Sequence, residues 1–272
     1  MLRLLFTLLA LAVASLPAQD LDLGARVQPV PPANRFAVPD YHVWCGAPVK
    51  GPDGRYHLFY SRWPTKVGFA PGWAIHSEIA YAVSDQPQGP YRHVNVALPP
   101  RPVNPATGEK YWDGDVTHNA NAFFHDGKYY LFYMGNRGDG KSYPMHRNNQ
   151  RVGVAIAEKP EGPWKRLDHP IVDISTNQAD FDSLCVTNPS AAVRPDGGVV
   201  LVYKAVRYVA GKPMGGDVRF GVALAAFDVC TGWGVRSMGE ERWIVKAESY
   251  STTNLKLSSA DRIDVESGLR IP

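Results

Sequence analysis

The sequence is poor in cysteine and has no marked excess of charge of either sign. Its three cysteines, Cys45, Cys185 and Cys230, are too few for a disulfide framework. Cys45 and Cys185 fall in apolar, strand-like stretches and read as buried free thiols. No C-x-x-C pair or His/Cys cluster accompanies them, which excludes a zinc site of ordinary spacing. Lys and Arg number 29 against 26 Asp and Glu, a net charge of +3, and the two signs are interspersed. Nucleic acid is therefore not an expected partner. Heptads, a G-X-Y period and long charged blocks are missing, which excludes coiled coil, collagen and wholesale disorder. Also missing are G-x-S-x-G, H-E-x-x-H, a P-loop and a G-x-G-x-x-G following a strand. Asp139-Gly140 lacks the alternating acids of a calcium-binding EF-hand. The one long apolar run, Leu4 to Val13, is shorter than the roughly 20 residues that span a bilayer. With Arg3 before it and small residues after it, it reads as part of a secretory signal peptide over 1–18, with Ala12-Val13-Ala14 or Ala18 at the cleavage point. The protein is expected to be secreted or periplasmic, free of the membrane once the signal is removed.

Glycine and proline, by contrast, are abundant. There are 25 Gly and 23 Pro in 272 residues, about 18% against a usual share of about 12%. Such punctuation, with 11% aromatic residues, suits many short strands joined by turns. The sequence laid against itself shows why. Asp53-Gly54-Arg55-Tyr56-His57-Leu58-Phe59-Tyr60 recurs as Asp126-Gly127-Lys128-Tyr129-Tyr130-Leu131-Phe132-Tyr133, and more loosely as Asp196-Gly197-Gly198-Val199-Val200-Leu201-Val202-Tyr203. A short apolar strand precedes each copy, and a small-residue strand follows at 79–83, 152–156 and 220–224. Two copies then share a turn, Pro87-Gln88-Gly89-Pro90-Tyr91 and Pro160-Glu161-Gly162-Pro163-Trp164, with a fourth strand expected at 93–98 and 167–174. Four antiparallel strands in a unit of about 70 residues is a propeller blade. The expected fold is thus all-β, a propeller with three blades over 38–226, after a signal at 1–18 and a linker at 19–37. Residues 227–272 break the pattern and are expected to form a poorly ordered tail.

In a blade, the lead-in to the innermost strand and the loop joining the second and third strands share one face, and loops on a rigid scaffold commonly carry function. That face gathers Asp40, Asp113, Asp115, Asp182, Glu78, His76, His118, Arg62, Asn136, Arg137 and Trp44. Carboxylates beside tryptophans suit glycoside hydrolysis, where one carboxylate activates water, another protonates the leaving oxygen, and aromatics stack on sugar faces. Single aspartates at such places also serve as turn and cap residues.

The motifs D-G-[RK]-Y-x-L-F-Y and [DE]-x-P-x-G-P-[YW], with Trp112-Asp113-Gly114 ahead of Thr117-His118-Asn119, resemble those of five-bladed β-propeller glycoside hydrolases of families 43 and 117, over about residues 38 to 226. With three blades where that group has five, the chain reads as cut short or frame-shifted relative to them. The resemblance implies a secreted, exo-acting and inverting glycosidase of polysaccharide degradation, or a non-catalytic carbohydrate-binding propeller. It places a base at the first inner strand, where Ala47-Pro48 aligns with the usual Asp-Pro and Asp40 stands nearby. It makes Asp182 the residue that tunes the acid, and leaves Glu78 as a further carboxylate at the mouth. Trp44, Arg62, His76, Asp113, Asp115, His118, Asn136 and Arg137 are the expected substrate contacts. The partner implied is an oligo- or polysaccharide, anionic if the cations on that face, Arg62, Arg137, Arg147, Lys204 and Arg207, are used for binding. No cofactor is required, although a structural cation such as Ca2+ in the central channel fits the resemblance.

Overall fold

A computed structural model describes residues 24–27, 29–101, 103–141, 143, 145–195 and 197–225, with 250–251, 262–263 and 270–271 beyond them. The expected signal peptide, Cys230 and most of the expected tail lie outside the described residues. Three four-stranded antiparallel sheets follow one another along the chain. The first is β1 (Tyr41–Lys50), β2 (Tyr56–Pro64), β3 (Glu78–Ser84) and β4 (Arg92–Leu98). The second is β5 (Val116–His125), β6 (Lys128–Asn136), β7 (Arg151–Ala157) and β8 (Lys165–Arg166). The third is β9 (Cys185–Val193), β10 (Val199–Val206), β11 (Val218–Ala225) and β12 (Tyr250–Ser251). Each sheet meanders from its inner to its outer strand, as a propeller blade does. The β12 strand comes from a stretch in which the sequence shows no blade pattern. Among the described residues, no helix is long and apolar enough to cross a membrane.

The hairpin turns explain the repeat. Asp126 and Gly127 both have positive φ, 45° and 75°, and directly join β5 to β6, as a two-residue turn of the primed type requires. In the first blade the loop is longer, closed by Gly51 N donating to Arg55 O at 2.8 Å and Gly54 N to Gly51 O at 3.1 Å. The fourth strand of the second blade is shorter than expected. Only Lys165-Arg166 pairs with β7, and contact resumes at a single Val152–Val172 bridge. Pro170 in between has no N–H to offer a ladder.

Each inner strand is interrupted at the same place. Cys45, Asn119 and Asn188 have φ of 48°, 52° and 51°. Across the first hairpin, Trp44 faces Ser61 and Ala47 faces Phe59, so Cys45 and Gly46 together oppose Tyr60. Asn119-Ala120 oppose Tyr133, and Asn188-Pro189 oppose Tyr203, in the same way. These are β-bulges, two residues against one. The blades therefore equate Cys45 with Asn119 and Asn188, and Ala47-Pro48 lies two residues further on.

The three tyrosines opposite the bulges also face a small residue on the third strand: Tyr60 faces Ala80, Tyr133 faces Gly153 and Tyr203 faces Gly221. The room so made is filled. Trp112 stacks on Tyr133 with ring centroids 5.4 Å apart, and its indole lies over Gly135 and Gly153. One apolar cluster, containing Phe59, Tyr81, Leu131 and Tyr133, bonds the first blade to the second. Another, containing Phe132, Val154, Val186 and Leu201, bonds the second to the third. Polar contacts lock the seams at the bulges. Asn119 N donates to Ser61 Oγ at 2.9 Å, and Ala191 N to Asn121 Oδ1 at 2.8 Å.

Candidate functional site

A cavity of about 340 Å3 opens where the lead-in ends of the inner strands meet the loops between second and third strands. Its aromatic wall is continuous. Trp44 and Trp63 each pack on Phe69, with centroids 5.5 and 5.3 Å away. Trp63 and Trp73 flank His118, each at 5.6 Å, and Trp73 meets Tyr143 at 6.2 Å. The short helix α1 (Gly72–Ile75) carries Trp73, and Gly72 lets that helix sit directly on Trp63, where a Cβ would come within 2.7 Å of the indole. The bulge residues Cys45, Asn119 and Asn188 also line the cavity, and Asn119 Nδ2 donates to Asn188 Oδ1 at 2.7 Å. Arg147, Gln150, Lys204 and Met214 complete the lining. Among the described residues, none that lines it carries a carboxylate.

Of the expected site residues, Trp44 and His118 line this cavity. Trp44 is half exposed and free to stack on a ligand. His118 is buried and shares a 2.7 Å hydrogen bond between Nδ1 and Ser77 Oγ. Burial pushes its imidazole down to about 3, so it stays neutral. A histidine whose folded value lies below its unfolded value of 6.5 loses stability as pH falls through that unfolded value. From pH 7 to pH 5 the loss is about 2 kcal/mol. Urea midpoints at the two pH values check this: His118→Asn should lose less on acidification than the wild type, and an equal loss in both would remove His118 as the cause.

The structure places the other candidates elsewhere. Asp40 is an exposed turn residue whose carbonyl accepts from Thr65 N at 2.9 Å. Glu78 is paired with Arg62 at 2.9 Å, and the Arg62 guanidinium lies over the Tyr41 ring and reaches His93. Asp113 is fully buried, held by Arg101 at 3.0 Å, Arg166 at 3.1 Å and the Tyr133 hydroxyl at 2.8 Å. Asp182 stands at the same place in the third blade, with the Tyr203 hydroxyl beside it. Burial, with Asp180 close by, raises the Asp182 carboxyl above the usual range. Asp115 takes the Lys110 ammonium at 2.7 Å and Gly138 N at 2.5 Å. Burial works to raise its carboxyl, but these partners bring it below the usual range. Asn136 is buried, donating to the Ala74 and His146 carbonyls, and Arg137 donates to Lys110 O. His76 is exposed at the end of α1.

Cys45 corrects the sequence reading: it is exposed, while Cys185 is buried as expected. The bulge turns Cys45 to the mouth, where partial burial still holds its thiol up at about 11. The donor set does not suit a cation. Among the described residues no three His, Cys, Asp or Glu side chains converge, and Arg147 and Lys204 bring positive charge to the mouth. The loop face expected from the blade pattern also carries Trp63, Trp73, Arg147 and Lys204, which line this cavity, whereas sequence reasoning missed Asn119, Tyr143 and Gln150. The signal available for Asn119 was its match to Asn188 in the repeat.

No family model and no curated protein matches the chain. Solved structures match it in fold. A family 117 glycoside hydrolase produced by the marine bacterium Zobellia galactanivorans aligns with a TM-score of 0.52 at 22% identity, over 70% of this chain and 55% of that one. The protein BT0996, solved as an RGII complex, aligns with a TM-score of 0.51 at 18% identity, over 69% and 55%. A family 43 β-xylosidase/α-arabinofuranosidase from a compost microbial metagenome, in complex with xylotriose, reaches 0.49 at 16% identity, over 70% and 57%. With its blade-like sheets and the first two of these matches, the chain has a β-propeller fold seen in glycoside hydrolases, and it spans little more than half the length of those two structures.

Proposed function

We propose that the mouth of this propeller binds a saccharide, and that the chain serves polysaccharide degradation as a glycoside hydrolase-like protein. The observation that carries this reading is the aromatic wall of Trp44, Trp63, Phe69, Trp73 and Tyr143 around an open cavity. Rigid aromatic faces with a few polar groups at the floor are what a sugar ring, apolar on its faces and polar at its edge, requires. An anionic saccharide is part of the reading, because Arg147 and Lys204 stand in the same lining. Calorimetric titration with a panel of plant and algal oligosaccharides tests it. Trp44→Ala should weaken binding about tenfold or more, the 1–2 kcal/mol of an aromatic anchor, with thermal stability unchanged because the side chain is half exposed. Failure of the wild-type chain to bind any sugar would sink the reading.

A second reading is exo-acting, inverting hydrolysis with Asp40, Asp182 and Glu78 as the catalytic set; the fold shared with glycoside hydrolases favours it. Inversion needs two carboxyls about 6.5–9.5 Å apart across the scissile bond. Binding ranks first because the lining of the mouth holds no carboxylate among the described residues. Reducing-sugar release from the same panel separates the two: hydrolysis lost in Asp182→Asn and Asp40→Asn would establish the enzyme. Export to the periplasm or medium, guided by residues 1–18, belongs to the same proposal, and N-terminal sequencing of the exported protein tests it.

A further inference from the structure

On one side the mouth holds buried hydrogen-bond donors that have no acceptor among the described residues. Gln150 is buried, and its Nε2 has no partner among the described residues. Arg147 Nε is buried without a partner as well. The Arg147 guanidinium is held in place because its Nη2 donates to Met214 O at 3.3 Å, while the neighbouring Asn148 Nδ2 donates to Pro213 O at 2.7 Å. Lys204 has no carboxylate partner among the described residues. The three residues adjoin: Gln150 N donates to Arg147 O, and Gln150 O accepts from Val186 N, beside the Thr187 that pairs with Lys204. Asn188 Oδ1, an acceptor that also lines the cavity, already receives Asn119 Nδ2 and the Thr187 hydroxyl. Cys185 brings no counter-charge, since burial raises its thiol. Burial, and after it the nearby Arg147 guanidinium, pulls the Lys204 ammonium below its usual range. A neutral sugar hydroxyl would leave two cations unpaired in this corner. An oxyanion with several acceptor lone pairs would satisfy all three side chains, two of them through charge-assisted hydrogen bonds.

We infer that Arg147, Gln150 and Lys204 form an oxyanion subsite that receives the acidic substituent, carboxylate or sulfate ester, of the bound saccharide. This rests on the saccharide reading above and names the class of sugar: a uronic acid or a sulfated unit. Arg147 supplies geometry and Lys204 a point charge, so the two are not interchangeable. The Trp44 and Trp73 faces hold the ring while this corner selects by charge.

The test is calorimetry on the full chain with two matched pairs of probes. One pair is trigalacturonate and its methyl ester; the other is a sulfated galactan tetrasaccharide and its desulfated form. In at least one pair the acidic member should bind at least tenfold more tightly than the neutral one, and the pair that shows it decides between carboxylate and sulfate. Lys204→Met and Arg147→Leu should each reduce that preference at least threefold, and Lys204→Arg should restore part of what Lys204→Met loses. Thermal unfolding of each variant confirms that the fold is intact. Equal binding of acidic and neutral members by the wild type overturns the subsite and leaves saccharide binding standing. A preference that survives in both cation variants also overturns it. No binding of any probe overturns both the subsite and the saccharide reading.

Discussion

Asp113→Ala is expected to destabilise the protein by about 3–5 kcal/mol, the cost of stripping one partner from a buried ionic cluster. The carboxylate is fully buried and receives Arg101, Arg166 and Tyr133 together. Arg101 continues to Asp168 and the Leu167 carbonyl, and Arg166 to the Pro99 carbonyl, so the cluster ties the end of the first blade to the outer strand of the second. Removing the carboxylate leaves two guanidinium groups facing each other and the Tyr133 hydroxyl without its acceptor. Asp113→Asn keeps the shape and one acceptor oxygen but loses the charge, and should lie between wild type and Asp113→Ala. Urea unfolding measures both. A loss of less than about 1 kcal/mol in Asp113→Ala, accompanied by loss of sugar binding, would return Asp113 to the ligand side of the protein.

The second large effect is expected at Gly153. A Cβ there would meet Trp112 at 2.4 and 2.5 Å and Tyr133 at 3.2 Å, and Trp112 has little room to retreat because it is stacked on Tyr133 and also covers Gly135. Overpacking of this kind costs about 1–3 kcal/mol for Gly153→Ala, and more for Gly153→Val. Shortening the indole should relieve the clash, so Trp112→Leu with Gly153→Ala should be more stable than the sum of the two single changes. A coupling of about 0.5–3 kcal/mol between contacting sites is the expected size. Additive behaviour in thermal or urea unfolding would show that Trp112 does not occupy that gap.

The fold was legible because its signals are local and repeated. Asp126-Gly127 dictates a hairpin by backbone preference alone, and the unbroken apolar run from Tyr129 to Tyr133 marks a strand covered on both faces. The fourth strand of the second blade was over-read because a few apolar residues around Pro170 resemble a strand that proline cannot complete. The candidate site was less legible, for a physical reason. Asp113 and Asp182 lie on the segments that lead to the mouth, yet each turns toward the tyrosine of its own blade, and a sequence states the segment but not the direction of a side chain. Their shared position six residues before Asn119 and Asn188 makes them equivalents in the repeat. Arg147, Gln150 and Lys204 come from an irregular loop and the middle of a strand, with no repeat partner and no motif spacing. Only folding brings their donors together.

The left-handed residue that interrupts each inner strand bears on how such a protein diversifies. A strand alternates its side chains between two faces, and a bulge shifts that alternation by one. The stretch before Cys45, Asn119 and Asn188 is thereby out of phase with the stretch after it. Ahead of the bulge the strand serves two ends at once: Trp44 and His118 meet the cavity, while Thr117 and Val186 are buried in the seams between blades. Selectivity and foldability therefore alternate along the same few residues, so new binding preferences can accumulate on this scaffold only at the positions that face the mouth.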